Sequence, residues 1–95
     1  MTADRISHVV TDFRWNEDNL EHIAKHGVQA EEAEDVVRHA RRPYPCQAGH
    51  GKWRVWGQTR FGRYLQVVFV KDDATTVYVI HARPLTEKEK RAFKR

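Results

Sequence analysis

Three segments rich in β-branched and aromatic residues crowd the second half of the chain, and only four residues separate each from the next. They run over about Trp53–Thr59, Tyr64–Lys71 and Thr76–Ala82, joined by Arg60–Arg63 and Asp72–Thr75. A parallel crossover needs about a dozen residues or more, so connections this short restrict the segments to an antiparallel meander. Leu65, Val67 and Phe69 then share one face of the middle strand. In the last strand strict alternation puts Tyr78 and Ile80 on one face. Val77, Val79, His81 and, if the strand extends, Arg83 fall on the other.

The first half reads differently. A short strand over Asp12 to Trp15 precedes a helix predicted from about Glu17 to Lys25, with Asn16 as its N-cap and acids in its first turns. Leu20, Ile23 and Ala24 give that helix an apolar stripe, and Gly27 suits a left-handed C-cap. A second helix follows Gln29 and runs to about Arg38, with Ala30, Ala33, Val36 and Val37 at helical spacing. Pro43, Pro45, Gly49 and Gly51 make residues 39–52 an irregular loop. Thr86 and Glu89 have the spacing of a capping box for a last helix. The expected order is β-α-α-β-β-β-α, an α+β domain with one antiparallel sheet over residues 12–95. Residues 1–11 read as a tail or an edge strand, with Ile6, Val9 and Val10 as its apolar positions.

Charge is unevenly distributed along the 95 residues. Residues 1–35 hold nine acids against three bases, whereas residues 36–71 hold eight bases and no acid. That second stretch also carries six aromatics, Tyr44, Trp53, Trp56, Phe61, Tyr64 and Phe69. Basic side chains interleaved with rings point to a polyanion, with a merely solvated basic surface as the alternative. The longest apolar run, Val67 to Val70, is too short to span a bilayer, and no secretory-signal order is visible near residue 1. Cys46 is the only cysteine, which excludes disulfide scaffolds and multi-thiolate zinc sites and fits a reducing cytoplasm.

Several stretches together resemble one family. Phe13-Arg14-Trp15-Asn16, Lys25-His26-Gly27-Val28, Glu31-Glu32-Ala33, Lys52-Trp53 with Gly57, Gly62-Arg63-Tyr64-Leu65 with Val67-Val68, and Ile80-His81-Ala82-Arg83 with Thr86 and Glu89 occur in order. In that order they are similar to the BrnT-type toxins of bacterial type II toxin–antitoxin systems, across about residues 12–93. The resemblance implies a RelE-like fold, RNA cleavage that arrests translation, and a BrnA-like antitoxin with a ribbon-helix-helix DNA-binding part. It also implies a heteromeric complex that represses its own operon at operator DNA. Four positions depart from the family's pattern: Asn16 for the usual Asp, His81 for a small residue, Pro84 directly after Arg83, and Phe93 for the usual Tyr.

Metal-free RNA scission aligns the ribose 2′-hydroxyl with the adjacent phosphate, removes one proton, stabilises the phosphorane and protonates the leaving 5′-oxygen. Arg83 is the first candidate for the cation, since a guanidinium fork matches a phosphate. Its bland alternative is an ion pair with Glu87 or Glu89. Arg63 is a second candidate, against an exposed hairpin charge, and His81 can act as base or acid, against a half-buried structural ring. Glu89 is a candidate base as well as a cap. Lys52, Arg54 and Arg60 are expected to follow the RNA backbone. Trp56 and Phe61 are expected to stack bases, with Trp53 in the core. His22 and His26 at i, i+4, or Cys46 with His50, lack the partners for a closed metal site, so no metal or other cofactor is expected. A non-catalytic nucleic-acid-binding or protein-interaction module is the alternative function.

Overall fold

The computed structural model describes residues 12–95; the expectation for residues 1–11 lies outside the described residues. Strand β1 (Asp12–Arg14) leads into helices α1 (Glu17–Ala24) and α2 (Ala30–Arg38). Strands β2 (Cys46–Gln47), β3 (Trp53–Gln58), β4 (Tyr64–Lys71) and β5 (Thr76–Pro84) follow, and helix α3 (Glu87–Lys94) ends the chain. The five strands form one sheet in the order β1-β5-β4-β3-β2. The meander β3-β4-β5 is antiparallel as its short connections require. Two features correct the expected sheet. β1 pairs with β5 in parallel, Phe13 opposite Val77, so the sheet is mixed. Part of the expected irregular loop is the two-residue β2, which pairs antiparallel with β3 and sets Cys46 opposite Arg54.

Local chemistry fixes the helix ends. Asn16 accepts the Asn19 N–H at 3.1 Å while its own N–H donates to Asn19 Oδ1 at 2.8 Å. Such a reciprocal cap satisfies two otherwise orphaned donors. The Asn19 amide also donates to the Arg14 and Val79 carbonyls at 3.1 and 3.0 Å, which seats α1 against β1 and β5. The buried face of α1 is therefore Asn19 and Ile23, while Leu20 and Ala24 of the expected stripe are exposed. Gly27 takes φ +74°, the left-handed conformation that ends the turn.

Helices α1 and α2 cover one face of the sheet. Ile23, Val28, Ala33, Val36 and Val37 meet Val55, Leu65, Val67, Phe69, Val77, Val79 and Ala82 in a single core. Each of the valines, Ile23, Leu65 and Phe69 contributes about 1.5–3 kcal/mol through burial. Gly57 allows the closest approach of α2 to β3, since a Cβ there would lie 3.1 Å from Val36 Cγ1.

The alternation of β5 changes hand partway along. Val68 of β4 faces His81, but the next residue, Phe69, faces Val79, so β5 carries an extra residue at Ile80. Val77 and Val79 point into the core before this bulge, and Ala82 points into it afterwards. His81 and Arg83 consequently leave the face of Val77 and Val79, where strict alternation placed them, and join the opposite, open face.

The β3–β4 hairpin is fastened to α2 by two carboxylates. Asp35, with 7 % of its surface exposed, accepts the Arg60 backbone N–H at 2.6 Å and the Arg60 guanidinium at 3.4 Å. The backbone hydrogen bond from Arg60 is the main cause holding this carboxyl below its ordinary pKa. Glu32 accepts both contacts of Arg63 Nη1 at 2.9 Å, and the same nitrogen donates to the Gly27 carbonyl. Asp35→Ala removes the acceptor and leaves the hairpin N–H without its partner. It is expected to lower the unfolding free energy by about 1–3 kcal/mol, read as an earlier midpoint in urea denaturation.

Candidate functional site

Two cross-strand rows occupy the open face of the sheet. In the first, Arg54 of β3, Val68 of β4 and His81 of β5 stand side by side. In the second, the row is Trp56, Gln66 and Arg83. Neighbouring side chains in such rows lie about 5 Å apart, so the pairing brings together four of the residues singled out in the sequence. They are Arg54, Trp56, His81 and Arg83. Gln66 completes the second row and was not foreseen: its Oε1 accepts Trp56 Nε1–H at 2.9 Å and Arg83 Nη2–H at 3.3 Å. The alternation of β4 put Gln66 on this face, but an amide between a tryptophan and an arginine carries no signature before the register is known.

Arg83 is held tightly. Its two terminal nitrogens donate to the two oxygens of Glu89 at 2.8 and 2.9 Å, a fork-to-fork pair, and Nη1 also donates to the Pro84 carbonyl at 3.0 Å. Glu89 thus serves twice, because it also accepts the Thr86 N–H at 2.8 Å while Thr86 Oγ1 accepts its own N–H. The Arg83 guanidinium, with the Thr86 backbone hydrogen bond second, pulls the Glu89 carboxyl down to about 2. Glu87, the other partner considered for Arg83, pairs instead with Lys90 at 3.0 Å.

Arg54 is less well satisfied. Its Nη2 lies 3.8 Å from Cys46 Sγ, its Cζ lies 5.7 Å from the centre of the Trp56 ring, and its buried Nε has no hydrogen-bond partner among the described residues. A buried guanidinium N–H without a partner is a costly arrangement, and it leaves Arg54 less firmly held than Arg83. Beyond Trp56 the face is aromatic. Tyr44 stacks on Trp56 with ring centres 6.1 Å apart, and Phe93 of α3 bridges Tyr44 and Tyr64 at 6.2 and 6.1 Å. Lys90 and Lys94 lie over Tyr64.

His81 has company that its sequence position does not reveal. Its ring centre lies 5.3 Å from that of His26 and 6.0 Å from that of His22, and those two are 6.3 Å apart. Burial first, then His26, Arg83 and His22, lower the His81 pKa below the ordinary histidine value, so its imidazole is neutral at pH 7. Among the described residues no group of three or more His, Cys, Asp or Glu side chains is arranged to hold a metal ion.

The remaining sequence candidates stand elsewhere. Arg60 and Arg63 turn toward α2, onto Asp35 and Glu32, and do not join Arg83. Phe61 at the hairpin tip is 89 % exposed and borders a hollow lined by Glu31, Glu32, Asp35, Thr59 and Arg60, on the acidic side of the molecule. Lys52 is exposed in the turn before β3, where its N–H donates to the Gly49 carbonyl. Trp53 packs against the core as expected.

The Arg83–Glu89 pair makes a stability prediction. Glu89 binds its proton in the unfolded chain near the ordinary value of 4.5 but in the folded chain only near 2. Its contribution is therefore complete above pH 4.5 and is lost as the pH falls toward 2. Over that window Glu89→Gln is expected to melt with a shallower dependence on pH than the parent, as followed by circular dichroism.

No protein-family model matches the chain, and comparison with curated proteins gives no match. Among the described residues no helix is long and apolar enough to cross a membrane. The fold itself has a solved counterpart. The ribonuclease toxin BrnT of Brucella abortus superposes with a TM-score of 0.61 at 16 % sequence identity, over 83 % of this chain and 99 % of that one. This chain therefore has the fold of that toxin.

Proposed function

We propose that the chain is the toxin of a type II toxin–antitoxin pair and acts as a metal-independent endoribonuclease. The observation that carries this reading is one open sheet face holding Arg54, Trp56, Gln66, His81 and Arg83, in a fold shared with a ribonuclease toxin. The supporting charge pattern is the acid-free stretch that supplies β3 and β4.

The chemistry follows from what each group can do. The ribose 2′-hydroxyl attacks the adjacent phosphorus, the 2′-oxygen–phosphorus bond forms, and the bond to the 5′-oxygen breaks. Neutral His81 has a free lone pair to take the 2′-hydroxyl proton. Arg83 offers its fork to the non-bridging oxygens of the phosphorane, whose charge exceeds that of the starting diester. Arg54 supplies positive charge in the row of His81. A carboxyl titrating near 2 is a poor base at neutral pH, so Glu89 acts by aiming Arg83. Trp56 and Tyr44 offer ring faces to a splayed-out base. The partner is a cognate BrnA-like antitoxin that covers the basic face and carries a ribbon-helix-helix part for operator DNA, and the complex works in the cytoplasm.

Purified protein incubated with RNA in EDTA is expected to cleave it. Arg83→Ala should lower the rate by about 10²-fold or more, whereas Arg42→Ala, an exposed change in the loop before β2, should leave it unchanged. Binding is expected to weaken steeply with salt as several phosphate contacts are lost. RNA binding without any cleavage would leave the non-catalytic module in its place. Growth arrest on expression, relieved by the adjacent antitoxin gene, tests the pairing in cells.

A further inference from the structure

The three imidazoles at the β5 edge of the open face are not accounted for by the chemistry above, which uses only His81. His22 and His26 sit on α1 one turn apart, both exposed, and both rings turn to the half-buried ring of His81. Histidines placed for structure usually rest on a fixed partner, as His39 does here on Asp35 at 3.2 Å. Among the described residues the neighbours of the cluster are instead each other and Arg83. The groups facing His81 are His22 and His26 from α1 and Arg83 from its own strand, with Glu89 of α3 reached only through Arg83.

We infer that His26 is the general acid of the cleavage, paired with His81 as the general base. This rests on the ribonuclease reading and adds a second catalytic residue to it. A general acid and a general base must each come within hydrogen-bond reach of one oxygen of the same phosphodiester, and the His26 and His81 rings, with centres 5.3 Å apart, stand close enough to meet one such group. The step balances: His81 takes the 2′-hydroxyl proton as the 2′-oxygen–phosphorus bond forms. Protonated His26 gives its proton to the 5′-oxygen as that bond breaks, leaving a 2′,3′-cyclic phosphate and a 5′-hydroxyl. Solvent then returns a proton to His26 and removes one from His81. His22, 6.0 Å from His81 and 6.3 Å from His26, is the third ring of the cluster and has no part in the step.

The discriminating experiment compares ordinary RNA with RNA carrying a bridging sulfur at the 5′ position, a leaving group that needs no proton. On ordinary RNA, His26→Ala and His81→Ala should each lose about 10²-fold or more. On the sulfur-bridged RNA, His26→Ala should recover to near the parental rate while His81→Ala stays slow. His26→Gln, which keeps bulk at this exposed position, should behave like His26→Ala, and unchanged melting of both excludes misfolding. Parental cleavage with His26→Ala at the same rate on ordinary RNA would overturn the acid assignment and leave the ribonuclease reading intact. Equal slowing of His26→Ala on both substrates would also overturn it. An inactive parent protein would overturn the ribonuclease reading itself, and the acid assignment with it.

Discussion

Between Val79 and His81 the last strand carries one residue more than its partner, and both faces of the sheet depend on the change of parity there. Before the bulge Val77 and Val79 close the core beneath the helices; after it Ala82 takes over that duty. Unbroken alternation would have put His81 and Arg83 under α1 and α2, where a guanidinium would need a buried counter-charge or cost several kcal/mol. The extra residue turns both side chains to the open face in register with Arg54, Trp56 and Gln66. Bulges concentrate beside functional sites because they can re-aim a side chain without moving the sheet.

The acid-free stretch of the chain has two fates in the fold. Arg60 and Arg63 are consumed in fastening the hairpin to α2, each neutralised by a carboxylate from the acidic first third of the sequence. Arg54, one row from Arg83, keeps an unpaired N–H beside the aromatic wall of Tyr44 and Trp56. The same block of positive charge thus supplies the glue between the layers and the field over the open face. Seven acids of the first third of the sequence lie on α1 and α2, and on the proposed reading that asymmetry would steer an approaching polyanion to the sheet.

Elements governed by local chemistry were legible in the residues. The Asn16 and Thr86 caps, the left-handed Gly27 and the span of the middle strand needed only neighbours in sequence. What escaped depends on pairing across the fold. The β2 strand exists because Cys46 and Gln47 find the free edge of β3, whatever their own preference. Leu20 faces outward while its neighbour Asn19 turns inward, where its amide donates to the Arg14 and Val79 carbonyls. The bulge at Ile80 has no glycine or proline to announce it, so the true neighbours of His81 stayed hidden. Charge alone could not separate Arg54 from Arg60; only the partners Cys46 and Asp35 do so.

The fork of Arg83 is already filled by Glu89, and this bears on how such a site would divide its work on the proposed reading. A phosphodiester entering the face would exchange one anion for another at Arg83, so little ground-state binding would be gained there. Affinity would have to come from Arg54, the stacked rings and the long-range field. The phosphorane carries more negative charge than either the diester or a carboxylate, and it presents two equatorial oxygens to the fork. It would therefore compete with Glu89 better than the substrate does. An interaction that strengthens only on the way to the transition state raises the rate without tightening the substrate complex. On this account the Glu89 carboxylate, kept ionised down to about pH 2, holds the guanidinium aimed and satisfied until the charge that should displace it appears.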